Sequence, residues 1–529
     1  MTTIFLIIIA FVVLLSIMLN NISSRIGIPA LLAFMLLGML FGNNGLFKID
    51  LDDYDIVKEI CTVALIFIMF YGGFGTRWKS VRPVVKESVL LASLGVVITA
   101  SLVGVFCHYC LHLNWLESFL LGSVMGSTDA ASVFSILRGK RLGLKNNTAQ
   151  ILEVESGSND PTAYMMMTII LTIMNGGASM GAITWNFFAQ LAFGIGGGLL
   201  IAKLAIKMFR KSKFEASGYE SLYIFAVAIA SYALPSLVGG NGYLSAYLVG
   251  IIIGNEEFKE KKSLVHFFDG ITSLMQILVF FLLGLLARPS QLHHAILPAL
   301  AIFLFMLLVA RPTAVFSILT PMRKYPLNQQ ILISFVGLRG AASIVFAIMA
   351  LVDPATLNHD IFNIVFMVVL ISIALQGSLI PWISKKLDMV NTDEDVLKTF
   401  NDYSEDSDMN FGHIKITEDS NWAGQLVREL NLPKNLLLAL VVRNGERILP
   451  KGDTRLLAGD QVAIITRGFN DSSTELIEKT VPVDSGRVGK TLSEKPLDGV
   501  VVLVRREGKD IIPDGNTVLH AGDRLVIIK

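Results

Sequence analysis

Glu153-Val154-Glu155-Ser156-Gly157-Ser158-Asn159-Asp160-Pro161 lies in the middle of an apolar stretch that runs from about 147 to 175. Roughly 20 apolar residues make a helix long enough to cross the hydrocarbon of a bilayer. An ionisable group held at that depth is costly and usually marks an ion or proton path. Three acids within nine residues therefore either exclude a membrane span or mark the centre of a membrane site, and the rest of the chain decides which.

Of the 529 residues, 53% are hydrophobic and 16% charged, and the mean hydropathy is +0.61. A soluble domain carries about 25% charged residues, so an ordinary soluble enzyme is excluded. Thirteen apolar stretches precede residue 388, at about 3–20, 26–45, 55–75, 86–109, 116–137, 147–175, 184–209, 218–236, 240–255, 264–287, 291–318, 327–352 and 361–385. The chain reads as an α-helical polytopic membrane protein with about 13 transmembrane helices. Its formal net charge of +1 leaves no nucleic-acid footprint, so the lipid bilayer, not nucleic acid, is the expected partner.

Lys and Arg collect in alternate loops: Arg25, then clusters at 77–86, 138–145, 207–213, 259–262 and 323–324, against only Lys48, Lys58 and Arg288 on the other side. Cytoplasmic loops retain such clusters, which puts Met1 outside and the C-terminal region in the cytoplasm. Met1-Thr2-Thr3 is uncharged and Asn20-Asn21-Ile22 offers no small-residue cleavage site, so the first stretch is expected to stay as a helix. Cys107-His108-Tyr109-Cys110 is a lone pair of cysteines and reads as packing.

Two more spans are interrupted by small and polar residues. The fifth carries Gly126-Ser127-Thr128-Asp129-Ala130-Ala131 and the twelfth Gly337-Leu338-Arg339-Gly340-Ala341-Ala342-Ser343. Together with the acidic stretch of the sixth, they look like discontinuous helices lining a midplane site. Glu155 and Asp160 fall about 140° apart around a helix. Asn159 shares the face of Glu155, and Ser156 shares that of Asp160. Asp160 with Ser156 offers hard oxygens to a monovalent cation, and the same carboxylate can take a proton instead. Arg339 needs a counterion, for which Glu155 is the candidate; an ion-pair or cap network is the plain alternative for Asp129, Glu155 and Arg339. Asp269 and Arg311 read as structural.

Ser127-Thr128-Asp129-Ala130-Ala131, Glu155-Ser156-Gly157-Ser158-Asn159-Asp160-Pro161 and Gly337-Leu338-Arg339-Gly340-Ala341 resemble the motifs of the monovalent cation:proton antiporters of the CPA family. The Asn159-Asp160 pair is similar to its NhaP-type, potassium/proton branch. The resemblance implies two inverted repeats, with the fifth and twelfth spans unwound and crossing near the midplane. It also implies a core domain moving against a dimerisation domain, and a homodimer in a bacterial cytoplasmic membrane. By the same likeness Asp160 is the ion- and proton-binding carboxylate, Ser156 and the Thr128 backbone are ion ligands, and Asn159 holds the unwound region. Asp129 stands beside the site, and Glu155 with Arg339 is a structural ion pair. The implied activity is not enzymatic: it is electroneutral, one-for-one exchange of K+ or Na+ for H+. Several sodium-exchanging relatives carry an acid in the third span, where this chain has Phe70-Tyr71-Gly72-Gly73-Phe74, and that tilts the expectation toward K+ while leaving Na+ open. A channel is disfavoured because no Thr-Val-Gly-Tyr-Gly-type filter is present. An aspartyl protease using Asp129 and Asp160 lacks the sequence around both carboxylates that such a site needs.

After the transmembrane part, 1–388, the composition changes. An acidic linker covers 389–410, and two related segments follow at 411–468 and 469–529. Arg443-Asn444-Gly445-Glu446 with Leu457-Ala458-Gly459-Asp460 returns 63 positions later as Arg506-Glu507-Gly508-Lys509 with His520-Ala521-Gly522-Asp523. Short strands broken by turn residues, with an amphipathic helix near Gly424–Leu430 or Gly489–Leu492, predict two small α+β lobes. They are similar to TrkA-C (RCK-C) domains, which implies regulation by a small ligand such as cyclic di-AMP. No Gly-rich dinucleotide fingerprint is present, so NAD is not expected, nor is any other cofactor.

Overall fold

The computed structural model describes residues 10–19, 29–211, 217–391 and 409–528, apart from isolated positions and short runs within them. Met1, Arg25, the acidic linker at 392–408 and the turns Asn444-Gly445 and Asp514-Gly515 lie outside the described residues. The chain divides into two units, Met1–Ser404 and Glu405–Lys529.

The first unit is helical. In chain order its main helices are α1 Ala10–Leu19, α2 Ala30–Phe41, α3 Tyr54–Gly75, α4 Trp78–Leu111 and α5 Trp115–Val124. Then come α6 Ala130–Gly139, α7 Thr148–Met174, α8 Met180–Lys211, α9 Ser217–Leu237, α10 Gly242–Gly254 and α11 Lys261–Leu286. The last are α12 Leu292–Met322, α13 Leu327–Phe335, α14 Ala341–Val352 and α15 Ile361–Lys386. Each apolar stretch of the sequence has its counterpart among the described residues, because in lipid a backbone satisfies its own hydrogen bonds most simply as a helix. Short polar residues set several starts. Asp53 caps α3 by accepting from Ile56 N (3.0 Å), Asn114 caps α5 by accepting from Glu117 N (2.9 Å), and Asp360 caps α15 by accepting from Asn363 N (3.0 Å). Trp185, Phe188, Leu199, Leu200 and Leu204 stand exposed on α8, as side chains facing lipid do.

The fifth span is two helices, α5 and α6, joined by non-helical chain at 125–129, and the twelfth is α13 and α14 joined by non-helical chain at 336–340. The sixth differs from the expectation. α7 runs unbroken from Thr148 to Met174, with Pro161 inside it. Its polar residues do not interrupt the helix; Ser156, Asn159 and Asp160 hydrogen-bond the unwound chain of the fifth span at 127–128.

A two-residue antiparallel ladder joins β1 Gly143–Leu144, between α6 and α7, to β2 Val390–Asn391, just after α15. Lys145 N donates to Met389 O (2.9 Å), and Lys145 Nζ pairs with Asp388 at 2.9 Å. The loop leading into α7 is thus tied to the chain that leaves the membrane unit.

The second unit holds two four-stranded antiparallel sheets. One is ordered β3 (Met409–Lys415), β6 (Gln461–Arg467), β4 (Leu436–Arg443), β5 (Glu446–Ile448). The other is ordered β7 (Leu476–Thr480), β10 (Arg524–Ile528), β8 (Val500–Arg506), β9 (Lys509–Ile511). The sequence repeat is also a repeat of chemistry. Arg443 donates through Nε and Nη2 to Asp460 (both 2.8 Å), and Arg506 donates in the same way to Asp523 (2.9 and 2.8 Å). Each Arg holds its aspartate below the usual carboxylate range through these hydrogen bonds. The lowered value means that this stabilisation is present above about pH 4, the ordinary aspartate value, and is lost as pH falls through the depressed one. Gly459 and Gly522 precede the two aspartates with φ of +94° and +85°, a backbone that a side chain would strain. The expected amphipathic helix shrinks to a single 3-10 turn, Val427–Glu429, in the first lobe. Seven residues are too few for helix propagation to repay nucleation.

Candidate functional site

The breaks in the fifth and twelfth spans meet. Asp129 N donates to Leu338 O at 2.9 Å, linking one unwound segment to the other. Gly340 allows the approach: a Cβ there would stand 2.2 Å from Asp129 Oδ2. Arg339 lies across the crossing, 1% exposed, and its Nη1 donates to Ser127 O (2.5 Å) and Gly126 O (3.1 Å). Those carbonyls lie just past the C-terminal end of α5, where backbone dipoles concentrate negative charge, and a guanidinium is the natural complement. At the start of the other half-helix, Asp129 accepts from Ser132 N (3.1 Å) and from the Ser132 hydroxyl, capping α6 at its positive end. A wide turn in α15 at Ser372–Gly377 supports the twelfth-span break. Arg339 N donates to Ser372 Oγ (3.1 Å), and Gln376 donates to Phe335 O.

α7 supplies the other wall. Ser156 Oγ donates to Thr128 O and Asn159 Nδ2 to Thr128 Oγ1, both at 2.5 Å. Asp160, 3% exposed, accepts from the Ser127 hydroxyl. The structure therefore brings Thr128, Asp129, Ser156, Asn159 and Asp160 together as the sequence suggested, and adds Ser127. Among the described residues no Lys or Arg forms a salt bridge with Asp160. Because Ser127 and Ser156 use their hydroxyl protons on Asp160 and Thr128, their oxygen lone pairs remain available to a cation.

One expectation is corrected. Glu155 does not pair with Arg339; its partner is Arg311 of α12, Nη1 to Oε1 2.7 Å, with side chains 4% and 1% exposed. The reason is geometric. Glu155 lies on the α7 face turned away from Asp160, toward α12, whereas Arg339 is occupied by the carbonyl ends of α5. Arg311 was visible in the sequence as an arginine inside a span, a signal that an ion pair is near.

Asp160 lies in a cavity of about 400 Å³. Its walls come from Leu65, Ile68, Met69, Tyr71 and Gly72 of α3, from Glu153, Ser156, Gly157 and Asp160 of α7, and from Asp269, Thr272, Ser273 and Gln276 of α11, with 127–129 and Ala341. α3 contributes its second half, α7 its first half and α11 its middle; on each helix the lining residues run from the depth of the crossing toward the end that abuts a basic loop, at 77–86, 138–145 and 259–262. Phe70 of α3 is buried against Phe268 (5.3 Å between ring centroids), outside the cavity wall. Cys107 and Cys110 are free thiols.

Comparison with known proteins places this arrangement. Residues 7–386 match the family described as sodium/hydrogen exchanger, transmembrane, and residues 413–468 and 476–528 each match the TrkA-C domain. A K(+)/H(+) antiporter NhaP2 of Shewanella sp. (strain MR-4) is 35% identical over 459 residues, 85% of this chain and 79% of that protein. A K(+)/H(+) antiporter NhaP of Alkalimonas amylolytica is 32% identical over 461 residues, 86% of this chain and 79% of that protein. Among solved structures, the sodium proton antiporter MjNhaP1 of Methanocaldococcus jannaschii superposes with a TM-score of 0.63 at 23% identity, over 73% of this chain and 98% of that one. At that identity the likeness concerns the fold.

Proposed function

The chain belongs to the sodium/hydrogen exchanger family, and within it we propose that it exchanges K+ for H+, one for one, through the single carboxylate of Asp160. It is a multi-pass membrane antiporter of a monovalent cation and protons, with TrkA-C domains at its C-terminal end. Asp160 carries the proposal: an acid at the crossing of two unwound segments, in a cavity, hydrogen-bonded to a hydroxyl and not to a base. Such a group binds either a proton or a cation. Each loaded form is neutral, whereas the bare carboxylate faces a large desolvation cost if it moves away from water. Only loaded forms therefore cross between the two sides, which makes the exchange obligatory and electroneutral. Asn159, next to Asp160, adds no charge to either form.

K+ is favoured by the relatives' identity and by the α3 wall of the cavity, Leu65, Ile68, Met69, Tyr71 and Gly72, which brings no second carboxylate to the site. The basic loops support a cavity that opens to the cytoplasm, a C-terminal module on that side, and residence in a bacterial cytoplasmic membrane. The resemblance to the CPA antiporters supports a homodimer. The β1–β2 ladder supports regulation, because the chain leading to the TrkA-C domains is hydrogen-bonded to the loop that enters α7, the helix of Asp160. A nucleotide such as cyclic di-AMP is the proposed effector.

The test is proton flux in proteoliposomes holding the full chain and an internal pH dye, with K+ or Na+ added in turn and then repeated with cyclic di-AMP. K+ is expected to dissipate an imposed proton gradient at lower concentrations than Na+. If Na+ acts at lower concentrations, the chain is a Na+/H+ antiporter of the same fold; if neither acts with or without the nucleotide, exchange itself is refuted.

A further inference from the structure

Two stripes of residues line the same cavity. Glu153, Ser156, Gly157 and Asp160 repeat at i, i+3, i+4, i+7 on α7, and Asp269, Thr272, Ser273 and Gln276 repeat at the same intervals on α11. That spacing keeps each set on one helix face. Both helices start at a basic loop, so Glu153 and Asp269 stand toward the mouth, and Asp160 and Gln276 stand one to two turns deeper. Tyr71 donates to Asp269 at the mouth (3.3 Å).

Thr272 is the informative member. A threonine in an apolar helix ordinarily spends its hydroxyl on the carbonyl four residues earlier. Here Thr62, Thr99 and Thr172 do so, donating at 2.7, 2.8 and 2.7 Å. Thr272 does not. Its residue is 7% exposed, it lines the cavity, and its buried Oγ1 has no hydrogen-bond partner among the described residues. A buried hydroxyl without a partner is costly, and a ligand in the cavity removes that cost.

We propose that Thr272 and Gln276 lend neutral oxygens to the cation bound at Asp160 and set its preference for K+ over Na+. The inference rests on the K+/H+ reading above and names its selectivity device. Na+ holds its hydration water more tightly than K+, so its capture calls for strong ligands, several carboxylates in one shell. A shell with one carboxylate and several hydroxyl or amide oxygens has a weaker field and repays only the smaller dehydration cost of K+. The α3 wall, with Leu65, Ile68 and Met69, adds no charge, and on α11 the acid Asp269, held by Tyr71, stands about one turn toward the mouth from Thr272, so Thr272 and Gln276 are the α11 groups that complete the shell.

The experiment compares wild type, Thr272→Val, Thr272→Ser and Gln276→Glu in proteoliposomes, reading apparent KM for K+ and for Na+ separately. Thr272→Val, which keeps shape and removes the hydroxyl, is expected to raise KM for K+ roughly tenfold, equivalent to about 1.4 kcal/mol, and to shrink the K+/Na+ preference. Thr272→Ser is expected to restore the wild-type values. Gln276→Glu is expected to move the preference toward Na+. If Thr272→Val elutes as a folded protein and leaves both KM values unchanged, the ligand role is refuted. If it aggregates, Gln276→Glu decides: no shift in the KM ratio refutes the proposal. Wild type preferring Na+ would instead overturn the K+ reading, whatever the variants do.

Discussion

Asp160→Asn is expected to abolish cation-dependent proton movement in proteoliposomes while the protein elutes in detergent like wild type. Asparagine keeps the size of the side chain and can still accept from the Ser127 hydroxyl, so the packing of α7 against 127–128 survives. What it loses is the site for either exchanged species: an amide takes up no proton at physiological pH and offers a cation no charge. The loss is therefore complete, not a change in KM. Residual exchange at even a tenth of the wild-type rate would require another carboxylate to do the work. Glu153, Asp129 and Asp269 line the same cavity, so each would then have to be tested in turn.

The largest stability effect is expected at the ion pair that the sequence misassigned. Arg311→Met leaves the carboxylate of Glu155 buried without its cation, a change that costs about 3–5 kcal/mol. Glu155→Gln strands the guanidinium and costs a similar amount. The double variant is expected to recover most of the loss, because two neutral side chains of comparable volume replace two charges that no longer need to be paid for. Thermal unfolding in detergent reads all three. If Glu155 were paired with Arg339 instead, Arg339→Met would be rescued by Glu155→Gln and Arg311→Met would not. The 2.7 Å contact between Arg311 and Glu155, and the use of Arg339 on Gly126 O and Ser127 O, predict the reverse.

Much of this was legible in the chain. Hydrophobic length places the spans to within a few residues for most helices, because a bilayer imposes one thickness on all of them. The breaks at 125–129 and 336–340 were legible because Ser127-Thr128-Asp129 and Gly337 to Gly340 are poor helix formers that also carry charge. The same rule misread the sixth span. Polar residues mark a helix that is broken, and equally a helix whose polar face covers someone else's break, and only the position of Thr128 against Ser156 and Asn159 separates the two. The partner of Glu155 was hidden for a related reason: Arg311 is 156 residues away, and two buried arginines competed for one acid. The α11 stripe was hidden because Thr272, Ser273 and Gln276 are not ionisable, so they raise no alarm in an apolar run. In the C-terminal module the repeat of Arg and Gly-Asp was plain, but its pairing through Arg443 with Asp460 and Arg506 with Asp523 needs the fold that brings strand and turn together.

The central claim is that one carboxylate serves both ions in turn. Its most direct test is the apparent KM for K+ measured in proteoliposomes across a series of pH values, with the membrane potential held at zero. Competition for Asp160 predicts that lowering pH raises KM for K+, reaching about tenfold per pH unit once protons occupy the site, with the maximal effect set by one proton. A KM that stays constant while only the maximal rate falls would contradict the account, since proton and cation would then bind at separate groups.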